Sequence, residues 1–414
     1  MAIKRINYWL ASCLLACQFV AWAHIDLAQA YPITKVLSYT QYLISFFFAL
    51  YVLFEKNIGI SKKLVNLTVG WFLVYFVLSL IQMAYLNDVR KGVDVFRFGV
   101  AAFFYLYLYY VLRIRGINRV TVFMLFANVI ISLLLLWQGT FDFDVTARNT
   151  LIPTVKWHGI TAVVLANPDS LLPFRISGLC PHPNGMGIET AACMVGLTKA
   201  GYSRKMLWLI GVMMLISFVL TQSRGGMLFT VLYISIHYVV THKMTVKNFV
   251  TALVVMLPLF ATFVWFNTLR EADNFDSMSS GRDHIAADIF NYWSSQDIGD
   301  ALFGIGLGEM YKNMWNILGY VDGADNGYMA WLVEFGLIGV SILLLAYAAT
   351  FLYSIRNGVS YKILLIFYLP FLLYINIENL LSGSVMIIVF YAFVFHQLDL
   401  ANRRGMGEGG DMAV

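Results

Sequence analysis

Residues 281–339 read GRDHIAADIFNYWSSQDIGDALFGIGLGEMYKNMWNILGYVDGADNGYMAWLVEFGLIG. The stretch leaves one apolar run, crosses a long polar segment and enters another apolar run. The polar part holds Arg282, Asp283 and His284, then Gly304, Gly306 and Gly308, then the pair Asp325-Asn326 where the next helix is expected to begin. On both sides the chain is mostly apolar. It is 60% hydrophobic and 12% charged, with a mean hydropathy of +0.73, whereas a soluble domain carries about 25% charged residues. Repeated apolar runs of about 20 residues bounded by charge read as transmembrane helices. The alternating segments of about 10 residues that a barrel would need do not appear. The expected fold is all-α, a polytopic membrane protein forming one transmembrane domain over residues 1–414.

Apolar runs place about 12 spans, near residues 8–24, 33–54, 64–86, 94–112, 119–138, 185–200, 206–222, 225–241, 247–267, 326–353, 360–375 and 382–398. Basic residues orient them. Lys4, Arg5, Lys56, Lys62, Lys63, Arg113, Arg115, Arg119, Lys199, Arg204, Lys205, Lys243, Lys247, Arg356, Lys362, Arg403 and Arg404 fall on one side, about 17 of the 28 Lys and Arg. Short basic loops face the cytoplasm, so both termini are expected there. The net charge of +5 is accounted for by this topology, and no nucleic-acid footprint is expected. Cys13, Cys17 and Cys193 fall in apolar runs, and Cys180 falls in an outer loop without an evident partner. Neither a disulfide framework nor a metal site nor a cofactor is expected.

Two long loops, 139–184 and 268–325, fall on the opposite, outer side. Loops of this length in a compact protein usually carry function. The sequence GIGLG at 304–308 lacks the lysine of a nucleotide loop. The outer side holds an unusual number of cations for a protein of this orientation. Arg148, Lys156 and Arg175 lie in or after the first loop, Arg224 in a tight turn, Arg270 and Arg282 in the second, and Arg90, Lys91 and Arg97 form a further patch. Arginine at a bilayer edge is costly unless paired or snorkelling, and its planar fork matches phosphate oxygens. A lipid-linked phosphate or pyrophosphate accounts for the cluster. Headgroup snorkelling or pairing with Glu189 or Asp283 is the plainer alternative.

Three elements in order resemble the O-antigen ligase and O-antigen polymerase superfamily of bacterial envelope glycan enzymes. The first is Arg175-Ile-Ser-Gly178 with Pro183-Asn184-Gly185. The second is Thr221-Gln-Ser-Arg-Gly-Gly226. The third is Gly281-Arg282, the glycine-rich loop, Asp325-Asn326-Gly-Tyr328 and Glu334-Phe-Gly-Leu-Ile-Gly339. The resemblance spans about residues 175–340. It implies a metal-independent glycosyltransferase of GT-C type in the bacterial inner membrane, with its active site at the periplasmic face. The donor it implies is an undecaprenyl-pyrophosphate-linked glycan. Family arginines bind the pyrophosphate, and the matching positions are Arg175, Arg224 and Arg282. The ligase branch has a His-Asn pair where this chain has Asp325-Asn326, and that difference favours the polymerase branch.

A polyprenyl pyrophosphate is a good leaving group, so stabilising its growing charge matters most on that side. The acceptor sugar hydroxyl needs a base, for which Asp325 is the leading choice. Asp325 is also suited to cap the helix that follows. Asn326, His284, His182, Glu189 and Tyr328 are secondary substrate-binding candidates. Glu378 and Glu334 lie where they reach the same cavity or pair with an arginine, and Tyr292, Trp293, Tyr311 and Trp315 suit either sugar stacking or the membrane interface. The segment Gly281–Asp297 reads as an amphipathic helix over the bilayer surface, placed as a lid. Chain-length regulators and export proteins are conceivable partners. The expected function is polymerisation of lipid-linked repeat units for O-antigen, capsule or exopolysaccharide. The alternatives are ligation to lipid A-core, and flipping of the same lipid-linked unit. A flippase needs polar groups deep in several spans, whereas the charges here gather at the outer face.

Overall fold

The computed structural model describes residues 2–21, 32–54, 60–145, 151–157, 160–166, 174–176, 178–180, 183–197, 202–241, 282–310, 327–375 and 385–405. Its helices are α1 (Ala2–Ala21), α2 (Pro32–Phe54), α3 (Lys62–Leu86), α4 (Val89–Gln138), α5 (Pro183–Leu197), α6 (Arg204–Thr221), α7 (Arg224–Thr241), α8 (Arg282–Ser295), α9 (Ile298–Phe303), α10 (Gly327–Arg356), α11 (Tyr361–Ile375) and α12 (Val385–Gly405). Among the described residues α3, α4, α6 and α10 are long and apolar enough to cross a membrane. This agrees with an all-α membrane protein. The expected span 247–267 lies outside the described residues.

Local sequence sets the ends of these helices. Ser61 caps α3 and Ser203 caps α6 through side-chain oxygens that accept from Lys63 N and Met206 N. Asn87 turns left-handed at φ 49°, and Asp88 accepts from Arg90 N at 2.8 Å. Asn tolerates that conformation because its short side chain bonds locally. Asn87-Asp88 thus makes the turn of an α3–α4 hairpin. Two glycines let the helices close up. A side chain at Gly92 would strike Ser79 O at 2.9 Å, and one at Gly99 would press on Phe72 O at 3.2 Å. Ser79 also donates to Gly92 O at 2.7 Å.

Two of the long helices fold back on themselves. In α4 the break is Arg113, at φ 54° and ψ 174°. Tyr105 meets Tyr391 at 5.0 Å and Arg113 reaches Asp399 at 3.7 Å. Beyond the break, Ile117 and Thr121 share a small cavity with Val389 and Ala392. Both halves therefore lie along the same turns of α12, whereas a straight helix would hold residues 105 and 121 about 24 Å apart. This agrees with the separate runs read at 94–112 and 119–138.

In α10 the break is Gly336, at φ 65° and ψ −179°. Trp331 stacks on Tyr347 with centroids 6.4 Å apart and planes within 5°. Tyr328 donates to Leu372 O at 2.9 Å, and Tyr347 packs on the adjacent Phe371 at 5.7 Å. Residues 331 and 347 would be about 24 Å apart in a straight helix. Residues 327–335 therefore form a half-helix that rises inside the bundle, turns at Gly336 and hands over to a full descending span, 337–356. The expected single span 326–353 is divided in this way.

The first outer loop also departs from expectation by containing strands. β1 (Thr140–Val145), β2 (Leu151–Trp157), β3 (Ile160–Ala166) and β4 (Phe174–Ile176) form an antiparallel sheet in the order β1-β2-β3-β4. Thr140 pairs with Lys156, Thr154 with Val163, and Val164 with Ile176. Val155, Ala162, Val164 and Ile176 bury one face against a cluster that includes Leu135, Met214 and Phe218. Lys156, read as part of the outer cation set, pairs instead with Asp142 across β1 and β2 at 3.1 Å.

The fold-back gives a direct test. Gly336→Ala puts a side chain into a left-handed position, at a cost of about 1–2 kcal/mol, and drives its Cβ onto Leu302 O. At Gly70 of α3 an added Cβ meets nothing within 4 Å. In detergent, Gly336→Ala should lower the thermal unfolding midpoint while Gly70→Ala leaves it unchanged or raises it. Equal midpoints would contradict the break.

Candidate functional site

The break at Gly336 frees backbone carbonyls inside the bundle, and the glycine-rich loop satisfies them. Ile305 N donates to Val333 O at 3.0 Å and Gly306 N to Glu334 O at 3.1 Å. Gln82 of α3 closes the joint, its Nε2 donating to Phe303 O at 2.9 Å and Glu334 O at 3.0 Å. Gly304, Gly306 and Gly308 have φ of 82°, 105° and 75°, which glycine adopts without strain. Gly304 also sits directly on Glu334 O, leaving no room for a side chain. The Glu334 side chain, 1% exposed, accepts from Gly308 N at 2.9 Å through Oε1. Its Oε2 has no hydrogen-bond partner among the described residues.

The flanks of the loop are tied to α3 and α4 as well. Tyr85 donates to Asp300 Oδ1 at 2.9 Å and stacks on Phe303 at 4.9 Å. Lys91 pairs with Glu309 and donates to Leu307 O at 3.4 Å. Arg97 pairs with Asp94 at 2.9 Å. Two members of the Arg90, Lys91 and Arg97 patch therefore hold protein carboxylates.

A second joint brings two of the quoted motifs together. Arg175 of β4, 7% exposed, donates from Nε to Thr221 O at 2.8 Å. Thr221 ends α6 and begins the Thr221–Gly226 turn. Gln222 is left-handed at φ 48°, and Ser223, just before α7, caps it with Oγ accepting from Gly226 N at 3.3 Å. Gly226 and Ser223 meet α5 at Gly187, where added side chains would strike backbone or Ser223. Arg175, Arg224 and the start of α5 are thus neighbours in the fold. α7 continues beside α11, with Phe229 and Phe367 6.0 Å apart. The same α11 receives the Tyr328 hydrogen bond.

Behind Arg175 lies a buried polar triad. Asn128 Nδ2 donates to Glu189 Oε2 at 2.7 Å, Cys180 Sγ donates to the same oxygen at 2.8 Å, and Leu179 N donates to Asn128 Oδ1 at 3.0 Å. Gly178, at φ 60°, lets this turn lie on the α4 backbone at Asn128. Burial first, then the Glu189 carboxylate, pushes the Cys180 thiol well up, so it stays protonated and donating. Cys180, read as lacking a partner, has two. Glu189 holds the turn that carries Arg175, and among the described residues its Oε2 accepts from Asn128 and Cys180.

Arg224 and Arg282 are the first residues of α7 and α8, and their side chains, like those of Asp283 and His284, lie outside the described residues. Asp325, Asn326, His182, Tyr311, Trp315 and Glu378 lie outside them altogether. The helix read over 281–297 is present as α8, with Ile289 buried and Phe290 exposed. Trp293, a stacking candidate, donates from Nε1 to Ala301 O at 3.0 Å. Tyr328 holds α11. Gln82 and the depth of Glu334 were missed from sequence. The one signal was glycines at alternate positions together with a Glu-Phe-Gly in an apolar run.

Gln82→Leu keeps the volume but removes the donor shared by two buried carbonyls. It should cost about 1–3 kcal/mol, seen as a lower unfolding midpoint, and should expose a cysteine placed at Ile305 to labelling. An unchanged midpoint with Ile305→Cys still shielded would show that Gln82 does not hold the loop.

Residues 209–344 match the family described as O-antigen ligase, whose members are glycosyltransferase-like enzymes. The match takes in the Thr221–Gly226 turn, α8, the glycine-rich loop and the fold-back at Gly336. No curated protein matches the chain. Over residues 209–344 the chain is similar to the O-antigen ligase family, and this supports its place in the O-antigen ligase and polymerase superfamily.

Proposed function

We propose that this protein polymerises undecaprenyl-pyrophosphate-linked oligosaccharide repeat units at the periplasmic face of the inner membrane. It moves the growing glycan from its carrier onto a new lipid-linked unit. The observation that carries this proposal is the half-helix. It starts at buried Gly327, inside the bundle beside α11, and Asp325-Asn326 are the two residues before it. A carboxylate at an interior helix start suits a general base, because a partly dry site strengthens its pull on a hydroxyl proton.

In the proposed step the acceptor hydroxyl oxygen bonds to the donor anomeric carbon as the bond from that carbon to the pyrophosphate oxygen breaks. The hydroxyl proton passes to Asp325, and the polyprenyl pyrophosphate leaves with the electron pair. Arg175, Arg224 and Arg282 stabilise the charge that grows on it. Arg175 already gives one N–H to Thr221 O, which fixes its fork beside the turn that carries Arg224. Asn326, His284 and His182 are assigned to sugar contacts. Ligation to lipid A-core is the second reading, favoured by the family's description as O-antigen ligase. It differs in the acceptor alone.

With a radiolabelled lipid-pyrophosphate repeat unit and purified protein, Arg224→Ala and Arg282→Ala should each lower incorporation by about 100-fold or more while the protein still inserts and unfolds cooperatively. Parent-level incorporation by both would remove the pyrophosphate assignment. Asp325→Asn keeps capping ability but not basicity, and should abolish turnover. If it works like the parent, Asp325 serves as a cap and the base lies elsewhere.

A further inference from the structure

At the end of the bundle away from the glycine-rich loop, α3 and the descending part of α10 stand apart. They enclose a groove of about 450 Å³, lined in part by Gly70, Trp71 and Val74 on one wall and Ala346 and Ala349 on the other, with Arg356 at its mouth. The groove follows from residue size. Gly70 points no side chain into it, and an added Cβ there meets nothing within 4 Å. Trp71 against Tyr347, 4.8 Å apart, joins the two helices where the space ends. The surrounding face is apolar and outward, with Leu73 51%, Leu345 68% and Leu352 56% exposed.

The mouth is basic. Arg356 lines it, and Lys62 lies one helical turn before the lining residue Asn66; both are exposed and make no ion pair among the described residues. Lys63 is held alongside, its Nζ 3.4 Å from Asn357 O, and Tyr353 donates to Lys63 O at 3.1 Å. No Asp or Glu occurs in 60–70 or 346–364. Among the described residues, the carboxylate of Asp399 at this end is shared by Arg113 at 3.7 Å and Arg403 at 3.2 Å. The site thus offers an apolar slot open to the side and cations above it. Its lining is mostly apolar; the polar side chains beside Arg356 are Asn66, Thr350 and Tyr353, and the last two already donate to Ala346 O and Lys63 O. A lipid with an anionic headgroup fits both parts, and basic pockets between transmembrane helices bind such headgroups.

We propose that this groove binds one acyl chain of an anionic phospholipid, with the phosphate on Arg356 and Lys62. The site lies apart from the proposed catalytic residues and does not depend on the polymerase assignment. Its walls are the two helices that Gln82 ties together at their far end.

The test is native mass spectrometry of the full chain released from nanodiscs of phosphatidylglycerol and phosphatidylcholine in equal amounts, with a polyprenyl phosphate as a third arm. The parent should retain phosphatidylglycerol in preference. Arg356→Ala should cut that preference about five-fold, the equivalent of about 1 kcal/mol for one cation at the headgroup. Gly70→Phe, whose Cβ meets nothing within 4 Å, puts a ring on the wall of the slot and should lose both phospholipids while its unfolding midpoint holds. Equal retention of the two phospholipids by the parent would overturn the proposal. So would unchanged lipid on Gly70→Phe, an undiminished preference in Arg356→Ala, or displacement of phosphatidylglycerol by an equal amount of polyprenyl phosphate.

Discussion

Backbone carbonyls released inside an apolar bundle must find donors, because lipid offers none. At Gly336 the chain breaks its own helix and frees such carbonyls on Val333 and Glu334. Their donors come from far away in sequence: Ile305 and Gly306 from the glycine-rich loop, and Gln82 from α3. This one exchange ties the second outer loop to the start of the bundle. It also explains why the loop needs glycines with left-handed φ at three alternate positions. Any side chain at Gly304 would occupy the place of Glu334 O, the carbonyl that Gly306 N serves.

The consequence for the site is depth. Because α10 folds back, most of its first half is buried, with Ala330 and Trp331 at 0% exposure. The helix start lies beside Tyr347 and Leu372, within the bundle rather than at a surface. A short helix aimed inward from a sealed break is a recurrent way to build a polar site in a membrane protein, since its amino end points partial positive charge at the ligand. On the proposed mechanism, Arg224 at the start of α7 and the acceptor base just before α10 then belong to two elements that share α11 as a neighbour. The triad of Asn128, Cys180 and Glu189 plays the matching part on the arginine side, fixing the turn that presents Arg175 to Thr221.

The membrane class was legible because apolar runs of bilayer length need no tertiary information. The α4 fold-back was legible too, since Arg113, Arg115 and Arg119 interrupt the run with charge. The break at Gly336 was not. It lies in an unbroken apolar run, and its donors are Gln82 and a loop about thirty residues upstream, so periodicity alone reads one long span. The small sheet was hidden for a similar reason. Its strands are short, contain Pro153, and gain their stability from Leu135 and Phe218 on other elements. Charge counting placed the cations on the outer side but could not tell a ligand-binding group from a structural one. Lys91 and Lys156 have protein carboxylates as partners, and Arg175 donates to the Thr221 carbonyl at a turn joining two motifs. Local motifs identified the turn, and three-dimensional neighbours were needed to show these bonds.

The most direct measurement is the size distribution of glycan formed by the purified protein from a synthetic lipid-pyrophosphate repeat unit alone, read by gel and mass analysis. The account predicts a ladder at integral multiples of the unit, still attached to the carrier lipid. No elongation from that unit, with transfer once lipid A-core is added, would contradict the polymerase and identify a ligase.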